Sequence, residues 1–93
     1  MNRIEKFNIV DERLDNVSVE LKETLHIMAD EMAYLMGSDN FDVRWYDFLK
    51  KQYDIVDKAK KHIDESKKFM YIIRRRFITE ENNQNEQSQV DVD

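Results

Sequence analysis

The sequence predicts an all-α protein: a long antiparallel two-helix hairpin of coiled-coil type that dimerises into a four-helix bundle and ends in a disordered acidic tail. Three observations predict it. The 93 residues contain no proline and one glycine, Gly37, in a chain heavy in Leu, Met, Glu, Lys and Asp, so helix breakers are almost absent. Apolar residues recur at alternating spacings of three and four on both sides of Gly37, the repeat of a helix seam. The apolar residues also outnumber what one stripe per helix can hold, and a two-helix monomer has no third element to cover the rest.

The first helix is expected over about residues 4–36, from the series Phe7, Val10, Leu14, Val17, Leu21, Thr24, Met28, Glu31, Leu35. Its start is open. Asn8 with Asp11 suits a helix beginning near residue 9, whereas Ile4 and Phe7 extend the seam backwards. Val17, Ser18 and Val19 are poor helix formers, so this stretch depends on packing.

The turn is expected at 37–40. Gly37 follows the last seam residue, where a C′ residue commonly adopts a left-handed conformation that only glycine enters freely. Ser38, Asp39 and Asn40 are all good N-caps, and Asp39 or Ser38 can accept from the first free amides of the next helix. The second helix is expected over about 41–80, with Trp45, Leu49, Gln52, Val56, Ala59, Ile63, Ser66, Met70, Ile73 and Phe77 as its seam. Folding about residue 38 or 39 sets Ile4 and Phe7 opposite Met70 and Ile73. The hairpin domain is therefore 1–80. Residues 81–93 have no periodicity and no aromatic residue, and read as a disordered tail too polar to offset its ordering entropy.

The net charge of −5 is unevenly spread: residues 1–37 hold four basic and eight acidic residues, 38–79 eleven and seven, and 80–93 none and five. An acidic segment beside a basic one favours their pairing, within one molecule or between two. Without cysteine there are no disulfides and no thiolate chemistry. No apolar run is long enough for a signal peptide or a membrane span, and the protein is expected to be soluble and cytoplasmic, with no membrane partner.

Two surfaces are candidates for function. The first is the apolar excess, a partner or oligomer interface made of Leu25, Ile27, Met32 and Tyr34 on the first helix and Phe48, Ile55, His62 and Phe69 on the second. His62 in this row suits a hydrogen-bonded edge position better than a ligand. The second is a basic and aromatic row on the outer side of the second helix: Tyr46, Tyr53, Lys60, Lys67 and Arg74 at intervals of seven, with Lys50, Tyr71 and Arg75 beside them. Such interleaving can hold phosphates and stacked bases. Against it stand four acid-to-base pairs at i,i+4, Asp47–Lys51, Asp54–Lys58, Asp57–Lys61 and Asp64–Lys68, which compensate much of the charge.

Other chemistry has little support. His62 with Glu65 and His26 with Asp30 have metal-compatible spacings but lack companions, so neither metal nor cofactor is expected. One glycine cannot form a phosphate-cradling loop, and Ser66 beside His62 has no orienting acid or oxyanion donor. The expectation is a non-enzyme without a small-molecule substrate. In layout the chain resembles the small accessory and inhibitor proteins of phages and mobile elements, and in architecture the RNA-binding hairpin dimer of plasmid copy control; no motif is shared. The sequence thus supports a protein-interaction module acting through helical docking surfaces, as a homodimer or on another protein. The alternative is a nucleic-acid-binding hairpin dimer.

Overall fold

The computed structural model describes the backbone of residues 1–92 and the side chains of residues 1–83. Among the described residues there are two helices, α1 (Arg3–Met36) and α2 (Val43–Val92), and no strand. They lie against each other as an antiparallel hairpin whose cross-section is only 17 × 16 Å, a little more than one helix with its side chains. No helix of the described residues is long and apolar enough to cross a membrane.

Asn2 settles the start of α1. Its side chain accepts from the Glu5 amide at 2.8 Å while the Glu5 carboxylate accepts from the Asn2 amide at 3.3 Å, a reciprocal capping box. This excludes a start near residue 9 and keeps Ile4 and Phe7 inside the helix. The corner differs from expectation. Gly37 has φ −87° and ψ −2°, a right-handed conformation open to any residue, and its amide donates to the Ala33 carbonyl at 3.1 Å. Neither Ser38 nor Asp39 caps α2. Asp42 does, its carboxylate accepting from the amides of Arg44 at 3.0 Å and Trp45 at 3.4 Å. The four residues between Gly37 and that cap therefore carry the chain across without a left-handed residue.

The inner seam is shifted by one residue in half of its positions. On α1 the residues turned towards α2 are Ile4, Phe7, Asp11, Leu14, Ser18, Leu21, Leu25, Met28, Met32 and Leu35. Phe7, Leu14, Leu21, Met28 and Leu35 match the expected series, but Asp11, Ser18, Leu25 and Met32 replace Val10, Val17, Thr24 and Glu31. On α2 the inner residues are Tyr46, Leu49, Tyr53, Val56, Lys60, Ile63, Lys67, Met70, Arg74 and Phe77. Again half match, and Tyr46, Tyr53, Lys60, Lys67 and Arg74 replace Trp45, Gln52, Ala59, Ser66 and Ile73. Both sets have the 3-4 spacing, so spacing alone cannot separate them. Lys, Arg and Tyr can lie in a seam because their stems pack while their polar ends reach the rim.

Register follows from specific pairs. The rings of Phe7 and Phe77 are 5.4 Å apart, Lys67 reaches the Asp15 carboxylate at 2.6 Å, and Ser18 donates to Asp64 at 2.7 Å. Phe7 thus packs against Phe77 while still lying beside the expected Met70. The acidic first segment and the basic second one pair within the molecule. Beyond Phe77, α2 runs on through Val92, past residue 80 where the sequence places the end of the hairpin, and no glycine or proline there marks a stop. The tail expected over 81–93 lies, from residue 84 on, outside the residues whose side chains are described.

Candidate interaction surface

The hairpin divides into two halves along its length. Near the turn, Leu25, the most buried residue at 6% exposure, sits with Met28, Met32 and Leu35 on α1, facing Tyr46, Leu49, Tyr53 and Val56. Towards the termini the apolar layers alternate with polar ones, Asp11 and Ser18 on α1 and Lys60, Lys67 and Arg74 on α2. Ser18 is 8% exposed, and its hydroxyl is satisfied by Asp64. Asp64 also accepts from Lys60 Nζ at 2.7 Å. These two hydrogen bonds, that of Lys60 foremost, hold the Asp64 carboxyl below the usual carboxylate range. The Asp15 carboxylate raises the Lys67 ammonium in turn.

This network decides the standing of the basic row. Tyr46, Tyr53, Lys60, Lys67 and Arg74, expected on the outer side of the second helix, are half-buried against α1 instead. Arg74 Nε is shut off from solvent. Only Lys50, Tyr71 and Arg75 of the expected nucleic-acid face are open, with the Arg75 guanidinium 5.8 Å from the Tyr71 ring centre. Of the four expected i,i+4 pairs, Asp57–Lys61 forms at 3.1 Å, whereas Asp64 turns to Lys60 rather than Lys68.

The apolar excess separates in the same way. Leu25 and Met32 belong to the hairpin's own seam, Leu25 buried and Met32 half-buried. Ile27, Tyr34, Phe48, Ile55, His62 and Phe69 stay exposed, and Phe69 is 66% accessible. Sequence reasoning missed Trp45 and Ile73, which it placed inside the hairpin. They are 50% and 40% exposed, and the Trp45 ring stacks on Phe48 at 5.9 Å. Joined to the Phe48 row they complete a second seam on α2: Trp45, Phe48, Gln52, Ile55, Ala59, His62, Ser66, Phe69, Ile73 and Arg76, again spaced by three and four.

This outer seam is the inner one moved back by one residue, a rotation of about 100° around the helix axis. On α1, Val10, Val17, Ile27 and Tyr34 have the same one-residue offset from the inner residues Asp11, Ser18, Met28 and Leu35. In an antiparallel pair equal offsets fall on the same face, so both helices present apolar side chains to one side of the hairpin. The opposite side carries Asp15, Asp57 and Asp64 together with the exposed side chains of Val19, Met36 and Tyr71. His62 Nδ1 lies 3.9 Å from a Glu65 carboxylate oxygen, both exposed. Among the described residues no three His, Cys, Asp or Glu side chains gather as a metal site. Comparison of the chain with family models, with curated proteins and with solved structures finds no match.

Proposed function

We propose that this protein is a non-enzymatic docking module, a small regulator or inhibitor of the accessory type carried by phages and mobile elements, which works by seating helical surface against another protein chain. One observation carries the reading: five large apolar side chains of α2, Trp45, Phe48, Ile55, Phe69 and Ile73, stand 40–66% exposed on one heptad-spaced seam. A row of that length and regularity suits a straight helical partner rather than a small ligand. Exposed apolar side chains gathered on one face, rather than scattered singly, mark interaction sites on folded proteins. The nucleic-acid alternative loses ground because five of its eight residues are engaged with α1.

The test is site-specific photo-cross-linking with a benzophenone side chain at position 69 in the native host, with position 12, exposed on the opposite side of the hairpin, as control. Position 69 should yield protein adducts that resist nuclease, and position 12 none. Adducts that vanish with nuclease would favour nucleic acid, and no adduct at all would end the docking reading.

A further inference from the structure

We infer that the occupant of the outer seam is a second copy of this chain, whose α2 lies antiparallel to the first about a two-fold axis close to Lys60 and Lys61. The inference rests on the docking reading and names its partner. Its first support is the order of side chains along the seam, which is complementary to itself only when reversed. With residue 55 set opposite residue 66, Ile55 meets Ser66 of the other copy, Ala59 meets His62 and Gln52 meets Phe69. Each of these layers joins a larger side chain to a smaller or more adaptable one, as close packing requires. Phe48 then faces Ile73, and Trp45 at each end faces the Arg76 guanidinium, an arrangement suited to cation–π contact. A parallel pairing would instead stack each residue on its own copy. Ala59 and Ser66 layers would then leave gaps beside Phe69 and Phe48 layers.

Charge points the same way. The row flanking the outer seam carries Lys58 and Glu65, and the antiparallel arrangement brings Lys58 of each copy beside Glu65 of the other. One row further out run Asp47, Asp54, Lys61, Lys68 and Arg75, so reversal sets Asp47 towards Arg75 and Asp54 towards Lys68, while Lys61 meets its own copy at the axis. In a parallel pair every one of these would face its own sign, which isologous interfaces avoid.

The area and the angle also fit. Trp45, Phe48, Ile55, Phe69 and Ile73 are each 40–66% exposed, leaving roughly 100 Å² apiece to cover. Two copies together would bury on the order of 1,000 Å² from these residues alone, the threshold of a specific interface. The rotation of about 100° between the inner and outer seams is close to the right-angled corner of a four-helix bundle. Pairing through α2 therefore brings the two α1 helices together on one side, with their Ile27 and Tyr34 faces turned to the same closing groove. A hairpin in which, among the described residues, only Leu25 and Ser18 are buried gains in this way the core it lacks alone.

The experiment uses the absence of native cysteine. Light scattering coupled to gel filtration should give twice the 11.3 kDa chain mass. Under mild oxidation the double variant Ile55→Cys/Ser66→Cys should become a covalent dimer, while each single variant should not, its sulfurs being eleven residues out of step in the antiparallel pair. Phe69→Asp should raise the dissociation constant at least tenfold with helicity by circular dichroism unchanged. Cross-linking of the single variants would mean a parallel pair, and a dimer that none of the variants links would mean another surface; either overturns the inference. A monomer at high concentration overturns it too. If that monomer still gives nuclease-resistant adducts at position 69, the docking reading survives with a foreign partner; if it gives none, both fall.

Discussion

Leu25→Ala and Thr24→Ala alter adjacent residues, yet the structure assigns them opposite consequences. Leu25 is 6% exposed in the inner seam, and the change to alanine deletes three carbon atoms. At about 0.8 kcal/mol per buried methylene the transfer loss is about 2.4 kcal/mol. The cavity adds little, because a body 16 to 17 Å thick can close around a missing group more easily than a deep core. A total of about 2–3 kcal/mol is expected. For a domain of this size that corresponds to roughly 10–20 °C in melting temperature. Thr24 is exposed and its hydroxyl donates back to the Glu20 carbonyl at 2.8 Å, so Thr24→Ala should be neutral or gain a few tenths of a kcal/mol from helix propensity. Urea unfolding followed by circular dichroism, with all proteins at one concentration so that association does not bias the comparison, measures both. If Thr24→Ala cost as much as Leu25→Ala, the seam would run through residues 10, 17, 24 and 31 and the assignment of the outer face would fall with it.

Three further outcomes follow from particular contacts. Gly37→Ala should be neutral or stabilise by about 0.4–1 kcal/mol in thermal melts, because a Cβ there would make only ordinary contacts, 3.7 Å to the Ala33 carbonyl and 3.8 Å to that of Tyr34; a loss above 1 kcal/mol would mean that the corner needs a left-handed residue after all. Asp42→Ala should cost about 1 kcal/mol of cap energy while Asp39→Ala should cost almost nothing, and equal losses would relocate the cap. Because the folded state holds a proton on Asp64 less tightly than the unfolded state does, the stability linked to this group is complete above the ordinary carboxylate range and is lost as pH falls through the lowered folded value. Acid titration below about pH 4 should therefore show a component that Asp64→Asn removes, and an identical acid limb in the variant would refute it.

The helices and the corner were legible because they depend on local features: a 3-4 apolar repeat, an absence of breakers and one glycine between two periodic stretches. The rotation of each helix about its own axis was not. On α2 the competing rows are Trp45, Gln52, Ala59, Ser66, Ile73 and Tyr46, Tyr53, Lys60, Lys67, Arg74, and hydrophobicity favours the first. The second faces α1 because acidic and hydroxyl groups wait there: Asp15 for Lys67, and Ser18 joined through Asp64 to Lys60. That complementarity between distant segments is invisible to any pattern read along one helix. A signal was nonetheless present, since Asp11 and Ser18 fall into step with Leu25 and Met32 at intervals of seven. A polar residue in a heptad row is a familiar device for fixing register.

The two halves of the hairpin therefore divide the labour. An apolar seam alone would allow the helices to slip by a heptad at little cost, exchanging one aliphatic layer for another. The Ser18–Asp64 hydrogen bond opposes that slip, since displacement would leave the buried Ser18 hydroxyl without its partner, and the Asp15–Lys67 pair, with Asp15 exposed, adds a smaller bias. Polar layers contribute less stability than apolar ones of the same size, so a hairpin built this way is specific before it is stable. Trp45, Phe48, Ile55 and Phe69 stand exposed on the outer face, where the pairing inferred above would bury them. A chain that turns Lys60, Lys67 and Arg74 towards its other helix and leaves Trp45, Phe48 and Phe69 exposed fixes its register with polar layers and keeps apolar surface open outside them.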